Sequence, residues 1–137
     1  MLVRRSAVES VGMMDEDFTL YYEDVDWCKR LHAHGSQVVC KTVSAVHHAG
    51  GSHSKMEPWL FGRYRVSMLL YFRKHLGSVR FHILLAFLGM TASLGLALRT
   101  LQRASQLFDA SALEYHIEKY RFFFKEYQRR KSSFAKH

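Results

Sequence analysis

Between Arg80 and Arg99 the chain runs for eighteen residues without a charge, Phe81 to Leu98, with His82, Thr91 and Ser93 as its polar members. No other stretch limits the fold as strongly. A segment this apolar has to be buried in protein, laid in a lipid interface or passed across a bilayer, and a spanning helix needs about 20 apolar residues. The run sits at the lower limit of that length and contains Gly89 and Gly95. Three structures satisfy it: a single transmembrane helix, a hydrophobic hairpin lying in the membrane, and a buried core helix. The arginines at both ends suit headgroup contact.

Charge is distributed to match. Residues 1–60 carry six Lys or Arg against eight Asp or Glu, whereas residues 61–137 carry fourteen against four, within a net charge of +8. A basic half points to nucleic acid or to an anionic membrane surface. No nucleic-acid motif is present, and the basic residues alternate with long apolar runs, so the expectation is an anionic membrane surface and no nucleic acid. Pro58 suits a first helical position. The helix after it carries Leu60, Tyr64, Ser67, Met68, Tyr71 and Phe72 as a stripe, with Gly77 as its stop. Ser111-Ala112-Leu113-Glu114 has the form of a capping box. It would open a helix with Leu113, Ile117, Tyr120, Phe124 and Tyr127 on one side and a cationic rim from Lys119 to Lys131. That helix either lies at a membrane interface or packs on the preceding helices.

The acidic half is organised around Tyr21-Tyr22-Glu23-Asp24-Val25-Asp26-Trp27-Cys28-Lys29-Arg30-Leu31. Asp24, Trp27, Cys28 and Leu31 share one helical face, and Asp26 and Arg30 form an acid-first pair four residues apart. The acids fall in the first turn, where the helix dipole favours carboxylates, and Gly35 ends the helix. Such acids ordinarily cap and solvate. Ser6-Ala7-Val8-Glu9 reads as another capping box, closed by Gly12. Asp15, Glu16 and Asp17 read as a solvated loop. Gln37–Cys40 and Thr42–Val46 read as short β segments that deliver His47 and His48. Gly50-Gly51-Ser52 follows, a flexible loop whose backbone can approach a phosphate. The 137 residues make one small domain, and 48% hydrophobic content supports a core. Cys28 and Cys40 suit neither a disulfide framework nor a zinc site, and reduced core thiols fit a cytosolic setting. Arg4 and Arg5 are followed by mixed polar sequence, which is not a signal peptide.

Four blocks in register, Met1–Arg5, Val11–Phe18, Tyr21–Arg30 and Val46–Ser52, resemble the acceptor-side half of a family 2 glycosyltransferase, in the rhamnosyltransferase-like branch that builds bacterial surface polysaccharides. The resemblance covers residues 1–77 and leaves 78–137 as a helical, membrane-associated extension. It implies an α/β fold of the GT-A type, mostly helical in this part, followed by amphipathic and hydrophobic helices. It implies transfer of a sugar, with inversion, from a nucleotide-sugar donor to a saccharide or lipid-linked acceptor. Asp24 is the implied general base, with Glu23 beside it to orient the acceptor or stand in as base; Tyr21, Tyr22 and Trp27 can stack on a sugar face and would desolvate the carboxylate. His47 is an implied ligand of Mg²⁺ or Mn²⁺, with His48 beside it, and Gly50, Gly51 and Ser52 would face the diphosphate. Phe18 would sit beneath the site.

The chain departs from the family in one respect. The nucleotide-binding half and its Asp-x-Asp motif belong upstream of Tyr21, and Asp15-Glu16-Asp17 matches that motif in letters but not in place. The expectation is a fragment that is inactive until a nucleotide-binding half is supplied, located in the cytoplasm at the inner face of the cell membrane, peripheral or integral. The competing reading is a non-enzymatic membrane-surface or partner-binding helical protein.

Overall fold

The computed structural model describes residues 2–37, 39, 57–104 and 110–136. Among them are five helices: α1 (Arg5–Val11), α2 (Glu23–Ala33), α3 (Pro58–Ala104), α4 (Ala110–Arg129) and α5 (Lys131–Ala135).

Helix α3 starts at Pro58, whose fixed φ and missing N–H suit a first helical position. Gly77 interrupts it with φ 84° and ψ 170°, a backbone state that L side chains rarely adopt. Two arms result, 58–76 and 78–104. A straight helix would hold Arg65 and Arg99 about 50 Å apart. Instead both lie close to Lys119 of α4, where burial first and then these two arginines lower its pKa. The arms are therefore folded back, and α4 packs along both. Phe61 of the first arm meets the Tyr120 ring edge-on at 5.5 Å, and His116 faces Gly95 of the second arm.

The first arm is the centre of the molecule. Leu69 and Leu70 are 0% and 1% exposed, and each contributes about 2–3 kcal/mol by leaving water. Phe81 and Leu88 from the second arm, Phe123 from α4, Phe134 from α5 and Phe18 from the loop before α2 join the same core. On α4 the inward positions are Leu113, His116, Tyr120, Phe123 and Tyr127. Ile117 and Phe124, expected on the same side as Leu113, Tyr120 and Tyr127, are 49% and 56% exposed.

The α/β expectation is corrected. Among the described residues there is no strand and no sheet. Residues 2–4 form no ladder, and neither do Gln37 and Val39. A single extended segment has no partner for its N–H and C=O groups and is not stable alone. Val38 and the expected strand 42–46 lie outside the described residues. Both capping boxes also shift. Helix α1 begins at Arg5 with Arg4 as its cap and no side-chain cap bond, so Ser6 is already helical. Glu9 accepts from Arg5 Nε at 2.9 Å instead of reaching back to the backbone. Helix α4 begins at Ala110, which puts Ser111 inside it.

Gly12 and Gly35 end their helices as the sequence indicates, both at φ 81°. At the second, Gly35 N–H donates to His32 O at 3.0 Å and Ser36 N–H to Leu31 O at 3.0 Å, the paired bonds of a Schellman motif.

Candidate functional site

Two tyrosines set the entry to α2. Tyr21 and Tyr22 have φ of 62° and 69°, successive left-handed residues that each cost about 1–2 kcal/mol without a glycine. Ring packing against the first arm of α3 offsets the strain. Tyr64 lies 5.8 Å from both tyrosine rings, edge-on to Tyr21, and Tyr71 lies 5.4 Å from Tyr22. Burial first, and then the hydrogen bond with Tyr64, raise the Tyr22 pKa to about 12, so it is a neutral phenol. The double turn aims the chain directly into the helix, with Asp26 N–H donating to Tyr22 O at 2.8 Å.

The three acids of the first turn then have three fates. Asp24 is exposed, and its Oδ1 accepts the Val25 N–H at 2.8 Å. Glu23 is half-buried, with Oε2 shielded from solvent and without a hydrogen-bond partner. Asp26 is fully buried, at 0% exposure. Its Oδ2 accepts from Arg30 Nε at 2.8 Å, and its Oδ1 accepts from Lys74 Nζ at 2.9 Å and His75 Nε2 at 2.6 Å. Burial alone would raise the Asp26 pKa; the bonds from Lys74, His75 and Arg30 outweigh it and hold the carboxyl below its ordinary value. Burial likewise lowers the His75 pKa, against the pull of Asp26, so at neutral pH His75 is neutral and donates its Nε2–H to the carboxylate.

This knot joins three parts of the chain. Arg30 reaches from Asp26 to the carbonyls of Val11 at 2.9 Å and Met13 at 2.8 Å. Lys74 bridges Asp26 to Asp15, whose Oδ2 lies 2.6 Å away. Burial pushes the Asp15 pKa up, and the Lys74 bond, the Asp17 N–H and the Lys74 charge together bring it below its ordinary value. Asp17 accepts from Ser133 Oγ at 2.9 Å and Lys136 Nζ at 2.8 Å. The acidic loop expected to be solvated is thus a pair of anchors, with Glu16 exposed between them. Trp27, expected to stack on a sugar, is buried, and its indole N–H donates to Gly12 O at 2.9 Å. Phe18 is buried below Lys74, whose Nζ lies 5.6 Å from its ring.

The structure therefore brings Tyr21, Tyr22, Glu23 and Asp24 together at one edge and assigns Asp26 to the interior. The desolvation of Asp24 expected from its aromatic neighbours is not seen, since that residue is exposed. His47, His48, Gly50, Gly51 and Ser52 lie outside the described residues. Among those described, no group of three His, Cys, Asp or Glu can hold a metal ion. The one buried carboxylate of α2 already has both oxygens occupied by cations and an imidazole. These residues do not fit a divalent site. Sequence reasoning missed Lys74 and His75, although the basic end of the helix before Gly77 is visible in the order Arg73-Lys74-His75.

Comparison with known proteins gives one partial likeness. Over 58 residues the chain is 28% identical to the low-salt glycan biosynthesis hexosyltransferase Agl10 of Haloferax volcanii, a match covering 42% of this chain and 19% of that protein. The matched segment thus spans about a fifth of the relative's length. No family model and no solved structure matches.

Proposed function

We propose that this chain is the acceptor-side part of a glycosyltransferase of the family 2, rhamnosyltransferase-like kind. It would act on a nucleotide-sugar donor and a saccharide or lipid-linked acceptor. The observation that carries the reading is the division of labour among the acids of α2. Asp26 is consumed by Arg30, Lys74 and His75, while Asp24 stands exposed two residues away, on an edge braced by Tyr21, Tyr22 and Tyr64. The likeness to a hexosyltransferase supports the same class.

In this reading Asp24 accepts the proton of the acceptor hydroxyl as that oxygen bonds to the anomeric carbon of the donor. The bond from that carbon to the diphosphate oxygen breaks on the opposite face, which inverts the configuration. Glu23 orients the acceptor, and Tyr21 and Tyr22 present ring surface to it. His47, with His48, and the loop Gly50-Gly51-Ser52 belong to the same proposal as the groups that meet the diphosphate. A divalent Mg²⁺ or Mn²⁺ there would neutralise the leaving diphosphate. Residues 1–77 form the catalytic part and 78–137 the helical extension, and turnover requires a nucleotide-binding half. The setting is cytoplasmic.

Asp24→Asn, measured with the nucleotide-binding half supplied, is expected to lower kcat by about 10²–10⁴-fold with donor KM unchanged. Near-normal turnover removes Asp24 from the role. A second reading, a non-enzymatic helical protein, draws on the all-helical architecture of the described residues. Failure of calorimetry to detect any nucleotide sugar binding to the same assembly would favour it.

A further inference from the structure

The second arm of α3 leaves one face uncovered. Val79, Ile83, Phe87, Met90, Leu94, Leu98 and Leu101 are 51–73% exposed. Val79, Met90 and Leu101 repeat every eleven residues, as do Ile83 and Leu94, and Phe87 and Leu98. An eleven-residue repeat stays closer to the period of the helix than a heptad does, so the stripe runs nearly straight for about 33 Å. Phe87, Leu94 and Leu101 are also seven apart, as are Ile83 and Met90, so a second copy of the arm is the occupant from which a lipid surface has to be distinguished.

The opposite face of the same arm is occupied. Phe81 and Leu88 are buried in the core, and Gly95 lies against His116 of α4. By length and composition residues 58–102 could cross a membrane. The helix packed behind them forbids it, because α4 carries Glu114, Glu118, Lys119, Arg121, Lys125, Glu126 and Arg129. An arm with one apolar face and a charged helix at its back can only lie along a surface.

Charge identifies that surface. Helix α3 is 47 residues long and contains seven Lys or Arg and no Asp or Glu. Arg80 is exposed beside the start of the stripe, and Arg99 stands near its other end. We propose that the arm 78–104 lies in the plane of an anionic membrane, with the stripe among the acyl chains and the basic residues at the headgroups, without crossing it.

The test is flotation of the full chain with phosphatidylcholine vesicles, with and without phosphatidylserine. Binding is expected to depend on phosphatidylserine, to weaken in high salt without vanishing, and to be reversed by alkaline carbonate. The double substitution Ile83→Ser and Leu94→Ser touches exposed positions and should lower partitioning by at least about tenfold with helical content unchanged. Arg80→Gln, which leaves the apolar face intact, should weaken binding to phosphatidylserine vesicles alone. Absence of vesicle binding, complete release by salt, resistance to carbonate, or unchanged binding of the double variant would each overturn the proposal. So would a lipid-independent dimer that the double variant dissolves, which would make the stripe a contact between copies.

Discussion

His75 Nε2 lies 2.6 Å from Asp26 Oδ1, so an acid in the first turn of α2 is fastened to the last turn before the Gly77 reversal, 49 residues further on. The contact fixes the face of α2 that is turned inward, and by exclusion the face that carries Asp24 outward.

Asp26→Asn should be severely destabilising. It leaves the Arg30 and Lys74 cations, 20% and 15% exposed, without their shared counter-charge, a loss of about 3–5 kcal/mol. Asp24→Asn, two residues away but exposed, should stay within about 0.5 kcal/mol of the parent. Urea denaturation of the two variants separates the structural acid from the proposed catalytic one.

Stability should fall in two steps on acidification. The folded His75 pKa lies below 6.5, so the unfolded chain takes up its proton first, and the stabilisation present above that value is lost as the pH drops below it. Asp26 and Asp15 have folded pKa values below 3.8 and contribute stability that is complete above that value and lost as the pH falls through the folded values. In His75→Gln the first step should disappear while the second persists, which thermal melts across the pH range would show.

Two helical glycines should respond differently to alanine. A Cβ on Gly62 would lie 3.0 Å from the Phe122 carbonyl carbon, and backbone on α4 can yield only by moving the helix. The gain in helix propensity, about 1 kcal/mol, should be outweighed by overpacking of about 1–3 kcal/mol. A Cβ on Gly95 meets the end of the His116 ring at 2.6 Å, and a ring can swing away. Gly62→Ala should therefore melt below Gly95→Ala.

The entry to α2 tolerates only certain replacements. Tyr21→Gly releases the left-handed strain and loses the Tyr64 ring contact, two terms of about 1 kcal/mol that oppose each other. Tyr21→Val keeps the strain and worsens it with a branched Cβ, so it should be less stable than Tyr21→Gly by at least about 1 kcal/mol in calorimetry.

Local signals in the sequence were reliable where one residue carries the physics. Pro58, Gly12, Gly35 and Gly77 mark helix limits or reversals because their backbones permit little else or uniquely much. The Asp26–Arg30 pair follows from spacing alone. What could not be read is partnership across distance. Nothing local tells that Lys74 meets Asp15, 59 residues away, or that Ser133 meets Asp17, 116 residues away, because those contacts depend on how separate elements pack. The same gap explains α4, where a period consistent with Ile117 and Phe124 inside is also consistent with His116 and Phe123 inside, and the close approach at Gly95 and Gly62 selects the second. Among the described residues the expected sheet is absent, for a related reason. A β-branched run indicates extended chain, but a sheet exists only when a neighbour supplies hydrogen bonds.

The bonds from Ser133 and Lys136 to Asp17 span 116 and 119 residues, almost the whole polypeptide. Contacts of that sequence separation carry the largest closure cost and tend to form after local helices have set. On the ribosome, the loop leading to Tyr21 and Tyr22 would wait for α5 to be synthesised before it could settle. A nascent chain that stops short of Lys131 would carry every residue of the Tyr21–Asp24 edge and still lack the last clamp that holds it in place.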